Sequence, residues 1–174
     1  LLLANKADIN ARDNFGRTPL YWAVGNAHQD VAELLLTRKA NPDVKDKDGR
    51  TPLQWAAQNG SRDLAALLIA SKANVDARDN NGRTPLYWAA LSGSTGIAEL
   101  LLVNKANVDA KDKMGITPLH EAAGKGAKDL VTLLLDNKAN VNAKDKKGWT
   151  PLYYAAYFGQ ADVAELLRQH GGHQ

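Results

Sequence analysis

The side chains best suited to acid–base work or metal ligation in this chain are four histidines, His28, His120, His170 and His173, and their spacing serves neither purpose. His170 and His173 stand three apart, but Gly171 and Gly172 between them mark a fraying end and not a rigid helix face that would hold a metal. His120 is followed directly by Glu121, and adjacent residues on a helix point about 100° apart, so the two cannot form an acid–base dyad. His28 and His120 read as structural residues, His120 as a hydrogen-bonding residue at a helix start. Gly124-Lys125-Gly126 lacks the longer glycine-lysine-hydroxyl pattern of a phosphate loop and reads as a helix end. Asn59-Gly60-Ser61 has the form of a glycosylation acceptor, at a predicted helix end. The absence of cysteine excludes disulfides, thiolate metal sites and thiol nucleophiles. No catalytic residue, metal site or cofactor is expected.

Composition narrows the classes further. Apolar residues at 44% and charged residues at 24% are those of a folded domain. A net charge of +3 is too small to imply a nucleic-acid partner. The longest apolar run, Leu64 to Ala70, falls far short of the roughly 20 residues of a membrane-spanning helix. No membrane association is expected. The chain opens on Leu1-Leu2-Leu3 with no recognisable signal peptide, and, with no cysteine either, an intracellular setting is the expectation.

What must position every side chain is a repeat. Thr-Pro-Leu begins at Thr18, Thr51, Thr84, Thr117 and Thr150, always 33 residues apart, and is preceded by glycine (Gly16, Gly49, Gly82, Gly115, Gly148) and aspartate (Asp13, Asp46, Asp79, Asp112, Asp145) in a D-x-x-G-x-T-P-L template. Thr before Pro is an N-cap followed by proline at the first helical position, so a helix starts at each Pro. Gly60, Gly93, Gly126 and Gly159, eight residues later, end it in a left-handed turn. A longer apolar-periodic segment, such as Leu130 to Leu135, follows and predicts a second, antiparallel helix. Polar stretches rich in Asn, Asp and Gly join the units as hairpin-like fingers, and the base before each Asp predicts local charge neutralisation there.

In period, in Gly-x-Thr-Pro-Leu and in paired-helix order, the chain resembles the ankyrin repeat family over its whole length. The fold expected is all-α, a solenoid of stacked helix-turn-helix units joined by finger loops. Residues 1–12 are the end of a partial repeat, 13–45, 46–78, 79–111 and 112–144 are full repeats, and 145–174 is a shortened C-terminal one, in which Arg168 suits a capping end facing water. The N-terminus reads as cut within a repeat. Where the family has glycine after the second helix, this chain has Lys6, Lys39, Lys72, Lys105 and Lys138; a left-handed lysine costs on the order of 1 kcal/mol and is expected to be tolerated. Ala27 replaces the turn glycine in the first full unit, which should be the least regular. The family's Thr-Pro-Leu-His survives only at His120, with Tyr21, Gln54, Tyr87 and Tyr153 elsewhere, so a shared histidine network is not expected. Trp22, Trp55 and Trp88, in identical phase, are expected to pack between repeats as core.

The resemblance implies a non-catalytic protein-binding module that grips a protein or peptide, as a monomer, on a concave face of fingers and short helices. The alternatives are a spacer within a larger protein and the targeting segment of an enzyme whose catalytic domain lies elsewhere. Carried over by position, the binding residues of the first three units are Asn14, Phe15, Arg17, Gly25 and Asn26; Lys47, Asp48, Arg50, Gln58 and Asn59; Asn80, Asn81, Arg83, Leu91 and Ser92. Those of the last two are Lys113, Met114, Ile116, Gly124 and Lys125; Lys146, Lys147, Trp149, Tyr157 and Phe158. Leu91, Met114, Ile116, Trp149, Tyr157 and Phe158 are expected to form an apolar patch of hot-spot composition for a partner's apolar anchor, with Arg17, Arg50 and Arg83 as a basic ladder for its acidic groups. The competing expectation is that Trp149, Tyr157 and Phe158 pack on one another and the arginines on finger aspartates.

Overall fold

The computed structural model describes residues 7–173, so Lys6 and the partial-repeat residues before Ala7 lie outside what is described. Short helices begin at the five Thr-Pro junctions: α1 (Pro19–Gly25), α3 (Pro52–Asn59), α5 (Pro85–Ser92), α7 (Pro118–Lys125) and α9 (Pro151–Tyr157). Each threonine is extended at the N-cap, and in four units its hydroxyl accepts from the amide three residues on, at 3.2 Å for Tyr21 and 3.3 Å for Tyr87 and Tyr153. Nine-residue helices follow: α2 (Gln29–Thr37), α4 (Arg62–Ala70), α6 (Thr95–Val103), α8 (Lys128–Asp136) and α10 (Ala161–Gln169). No strand occurs among the described residues.

Helices of seven to nine residues are too short to persist alone in water, so packing must hold them. Short helices pack on short helices of adjacent units, long on long, and each short helix on the long helix after it. Leu20, Leu53, Leu86 and Leu119 are fully buried, as are Ala56, Ala89, Ala122 and Ala155, whose small side chains let helices approach closely. On the long helices Leu64, Ile97, Leu130 and Val163 are 1–3% exposed or less, whereas Val31, equivalent but in the first pair, is 42% exposed. Burial at this position therefore comes from the neighbouring unit.

The fingers are closed by their aspartates. Oδ1 of Asp46 accepts from the amides of Asp48 and Arg50, at 2.9 and 2.8 Å, and Asp13, Asp79, Asp112 and Asp145 do the same. The preceding bases do not neutralise them, as the sequence had suggested. Arg12, Lys45, Arg78 and Lys111 instead reach the next unit and donate to the carbonyls of Lys45, Arg78, Lys111 and Lys144 at 2.6–3.1 Å. Each such bond ties one finger to the next across 33 residues. Finger also bonds to finger: the amides of Lys47, Asn80, Lys113 and Lys146 donate to the carbonyls of Phe15, Asp48, Asn81 and Met114 at 2.8–2.9 Å. Glycine is required here, since a Cβ on Gly49 (φ 77°) would lie 2.7 Å from the Asn80 nitrogen.

Lys39, Lys72, Lys105 and Lys138 adopt φ of 65–68°. Ala27 takes φ 57° in the place of a turn glycine, so the first full unit keeps the common turn; α1 is one residue shorter than α3, α5 and α7, but so is α9. Replacing Lys72 and Lys105 by glycine removes a Cβ clash and is expected to raise unfolding stability by up to about 1 kcal/mol per site, measured as a higher urea midpoint at unchanged m-value. In solution scattering, the row of stacked pairs should give a radius of gyration several ångströms above the about 16 Å of a compact chain of this length.

Candidate functional site

Arginine directly before the N-cap threonine and tryptophan five residues further on lie on the finger's end and the helix's first turn. That spacing folds the guanidinium back over the indole. Arg17 lies 5.0 Å from the Trp22 ring centre, Arg50 5.6 Å from Trp55 and 4.1 Å from Trp88, and Arg83 5.4 Å from Trp88. Arg17 also covers Tyr21, which meets Trp55 edge-on at 5.7 Å, so one unbroken cation–aromatic strip crosses three units. The expectation that all three tryptophans are core needs correction. Trp88 is 3% exposed, Trp55 is half-buried and Trp22 is 45% exposed: each ring is covered by the arginine of its own unit, and only Trp88 is covered in addition by Arg50 of the preceding unit. Of the arginines expected on finger aspartates, among the described residues only Arg83 meets one, Nε lying 3.9 Å from Asp112 Oδ2; Arg17 and Arg50 do not. The signal for this strip was the shared phase of Arg17/Trp22, Arg50/Trp55 and Arg83/Trp88, which ends at Ile116/Glu121.

At the other end the same positions carry Trp149 and Tyr154. Trp149 stacks on Tyr153 (4.5 Å) and Tyr157 (5.9 Å), Tyr157 meets Phe158 edge-on (5.1 Å), and Lys147 Nζ caps Trp149 at 4.5 Å. A shallow pocket is lined by Trp149, Tyr153, Tyr154, Tyr157 and Phe158. A second, lined by Leu91, Glu121, Gly124, Lys125, Tyr154 and Phe158, joins Leu91 to this cluster. Tyr157 and Phe158 thus pack on one another and still remain 66% and 56% exposed. Met114 is exposed on its finger, and Ile116 is partly buried against the core. Tyr153 and Tyr154 were missed in the sequence, their side chains being aligned with core positions.

The remaining residues singled out by position sit as follows. Phe15, Asn59, Asn80, Asn81, Lys113, Lys146 and Lys147 are exposed. Lys47 and Asp48 are exposed finger-tip residues whose backbone carries the finger ladder, and Asn80 Nδ2 donates to the Lys47 carbonyl at 2.8 Å. Asn26 ends α1 with Nδ2 on the Trp22 carbonyl at 2.9 Å, Gln58 accepts from Arg50 at 3.1 Å, and Lys125 ends α7 exposed.

Behind the face, residue three of the first four short helices reaches into the next unit. His120 is fully buried; Nδ1 lies 3.1 Å from the Thr117 amide, which donates to it, and Nε2 lies 3.0 Å from the Trp149 carbonyl. Gln54 reproduces both halves: its Oε1 accepts from the Thr51 amide at 2.8 Å and its Nε2 donates to the Arg83 carbonyl at 2.6 Å. The network survives without histidine, then, because a carboxamide presents an acceptor and a donor in the same order. Tyrosines solve the position differently: Tyr21 donates to Asp46 Oδ2 and Tyr87 to Glu121 Oε1, the latter at 2.7 Å. Burial pushes the Tyr21, Tyr87 and Glu121 acids up and the His120 imidazole down. His28 is exposed at the start of α2 and makes no side-chain cap. Among the described residues no cluster of three metal-ligating side chains occurs, and no helix is long and apolar enough to cross a membrane.

Models of ankyrin repeats match the chain over residues 35–112 and 97–174 (three copies) and 2–56 (many copies). No curated protein matches.

Because Gln54 does the work of His120, His120→Gln should cost under about 1 kcal/mol and His120→Ala about 2–4 kcal/mol in urea unfolding. The buried imidazole resists protonation, so the unfolded chain binds the extra proton and stability falls as pH drops through the ordinary value of 6.5. His120→Gln should flatten that fall.

Proposed function

The chain belongs to the ankyrin repeat family, and we propose that it serves as a non-catalytic module that binds a protein or peptide along the face of its fingers and short helices. Ankyrin repeats are generally protein–protein interaction modules and typically carry no catalysis. The observation that carries the proposal is the aromatic end of the face. Tyr157 and Phe158 expose more than half their surface beside the pocket they line with Trp149, and Leu91 (37%) and Met114 (49%) are exposed on the preceding units. Rings held rigid by mutual stacking lose little entropy on binding, which suits them to anchor a partner's apolar side chain. Most of the other positions selected by the resemblance carry polar groups, the amides of Asn and Gln, the ammonium groups of Lys, three guanidinium groups and the Asp48 carboxylate, the polar rim such an anchor needs.

The double variant Trp149→Ala, Phe158→Ala should lose capture of the partners that the wild-type chain retains from a lysate, by roughly tenfold or more, with helical circular dichroism unchanged. Capture at wild-type level by the folded variant would refute the aromatic anchor, and no partner for either chain would favour a spacer.

A further inference from the structure

The chemistry of the partner over the first three units can be read from donors that the protein leaves unspent, an inference that rests on the binding role proposed above and deepens it. An arginine whose guanidinium carbon lies over an indole still has N–H donors directed away from the ring, where a carboxylate can bind. Among the described residues Arg17 makes no side-chain hydrogen bond and has no carboxylate within 4 Å; Arg50 makes one bond, Nη1 to Gln58; Arg83 has only the Asp112 oxygen at 3.9 Å, beyond hydrogen bonding. Nε of Arg17 and of Arg83 is buried, so the donors open to a ligand are their Nη groups. The finger acids of the first two units are already committed. Asp13 accepts from two finger amides and from Trp22 Nε1 at 3.0 Å, and Asp46 from two finger amides and Tyr21. The strip therefore combines fixed positive charge, free donors and an aromatic floor that keeps water from one side.

Spacing refines the ligand. Successive arginines belong to successive stacked units, and packed helices lie roughly 8–10 Å apart. An extended polyproline-type chain returns every third residue to the same side, at about 9 Å. A β-strand returns every second residue at about 7 Å and falls out of step. Beside Arg17 a slot lined by Tyr21, Trp22, Gly25, Asn26 and Trp55 offers the aromatic walls that suit a proline or other apolar spacer. Nucleic acid fits less well, since Arg50 covers the Trp88 ring at 4.1 Å and shields it from a stacking base. We propose that Arg17, Arg50 and Arg83 read an acidic, extended segment of a protein partner whose carboxylates recur at every third residue.

The test uses the full chain and fluorescent peptides of about twelve residues, long enough to span three rungs at about 3.1 Å per residue. A Glu-Pro-Pro repeat is compared by anisotropy with Gln-Pro-Pro, with the same composition carrying its glutamates in one block, and with a single-stranded oligonucleotide. The spaced glutamate peptide should bind roughly tenfold or more tighter than each of the other three. Arg50→Gln should remove most of that advantage, and an advantage left intact in this variant would overturn the proposal. Equal affinity for glutamate and glutamine peptides, for spaced and blocked glutamates, or for the oligonucleotide would overturn the proposal, and none of these comparisons needs a variant to fold. Capture that depends on Trp149 and Phe158 alongside failure of the glutamate peptide would leave the binding role standing and sink only this inference.

Discussion

Each unit of this protein is pinned to the next by backbone groups that find partners only at a fixed distance along the chain. Arginine or lysine donates to a carbonyl 33 residues on, a finger amide to a carbonyl 32 residues back, and a loop amide to an Asn or Asp side chain 31 residues back, as for Asn74 on Asp43 and Asn107 on Asp76. An inserted residue would break all three sets at once, together with the burial of the leucines between units. The constant repeat length is thus a geometric requirement of the polar ladders and not only of the apolar core.

A frame fixed so firmly by backbone and by Thr, Asp, Gly and Leu leaves other positions free to differ. The residue before the N-cap and the one five further on read Arg/Trp in three units, then Ile116/Glu121, then Trp149/Tyr154. Identical backbone placement turns this variation into a change of surface along one face, from stacked guanidinium groups to stacked aromatic rings. The third residue of the first four short helices is freer in type than in task. His120 and Gln54 bridge to the next unit's carbonyl, while Tyr21 and Tyr87 meet a carboxylate there. The side chain must span the gap and satisfy a buried polar group, and several chemistries do so.

Much of this was legible in the sequence because it depends on local rules repeated five times. Thr-Pro junctions set the helix starts, the glycines and lysines at positive φ set the turns, and the phase of Leu and Ala set which faces are buried. The direction of long side chains was not legible. Lys45 and Arg78 stand beside aspartates in sequence yet bond across to the next unit, because stacking brings that unit's finger carbonyl within reach of a long flexible side chain. Periodicity placed Trp22, Trp55 and Trp88 in one phase but did not say that arginines from two units share a ring, or that exposure would run from 45% at Trp22 to 3% at Trp88. By itself, then, the sequence determined the unit, its length and its apolar wall, since those follow from interactions within a few residues or from strict repetition. Only the tertiary structure decided which guanidinium covers which indole and which acids are spent, because those pairings form between units and depend on the separation at which helices stack.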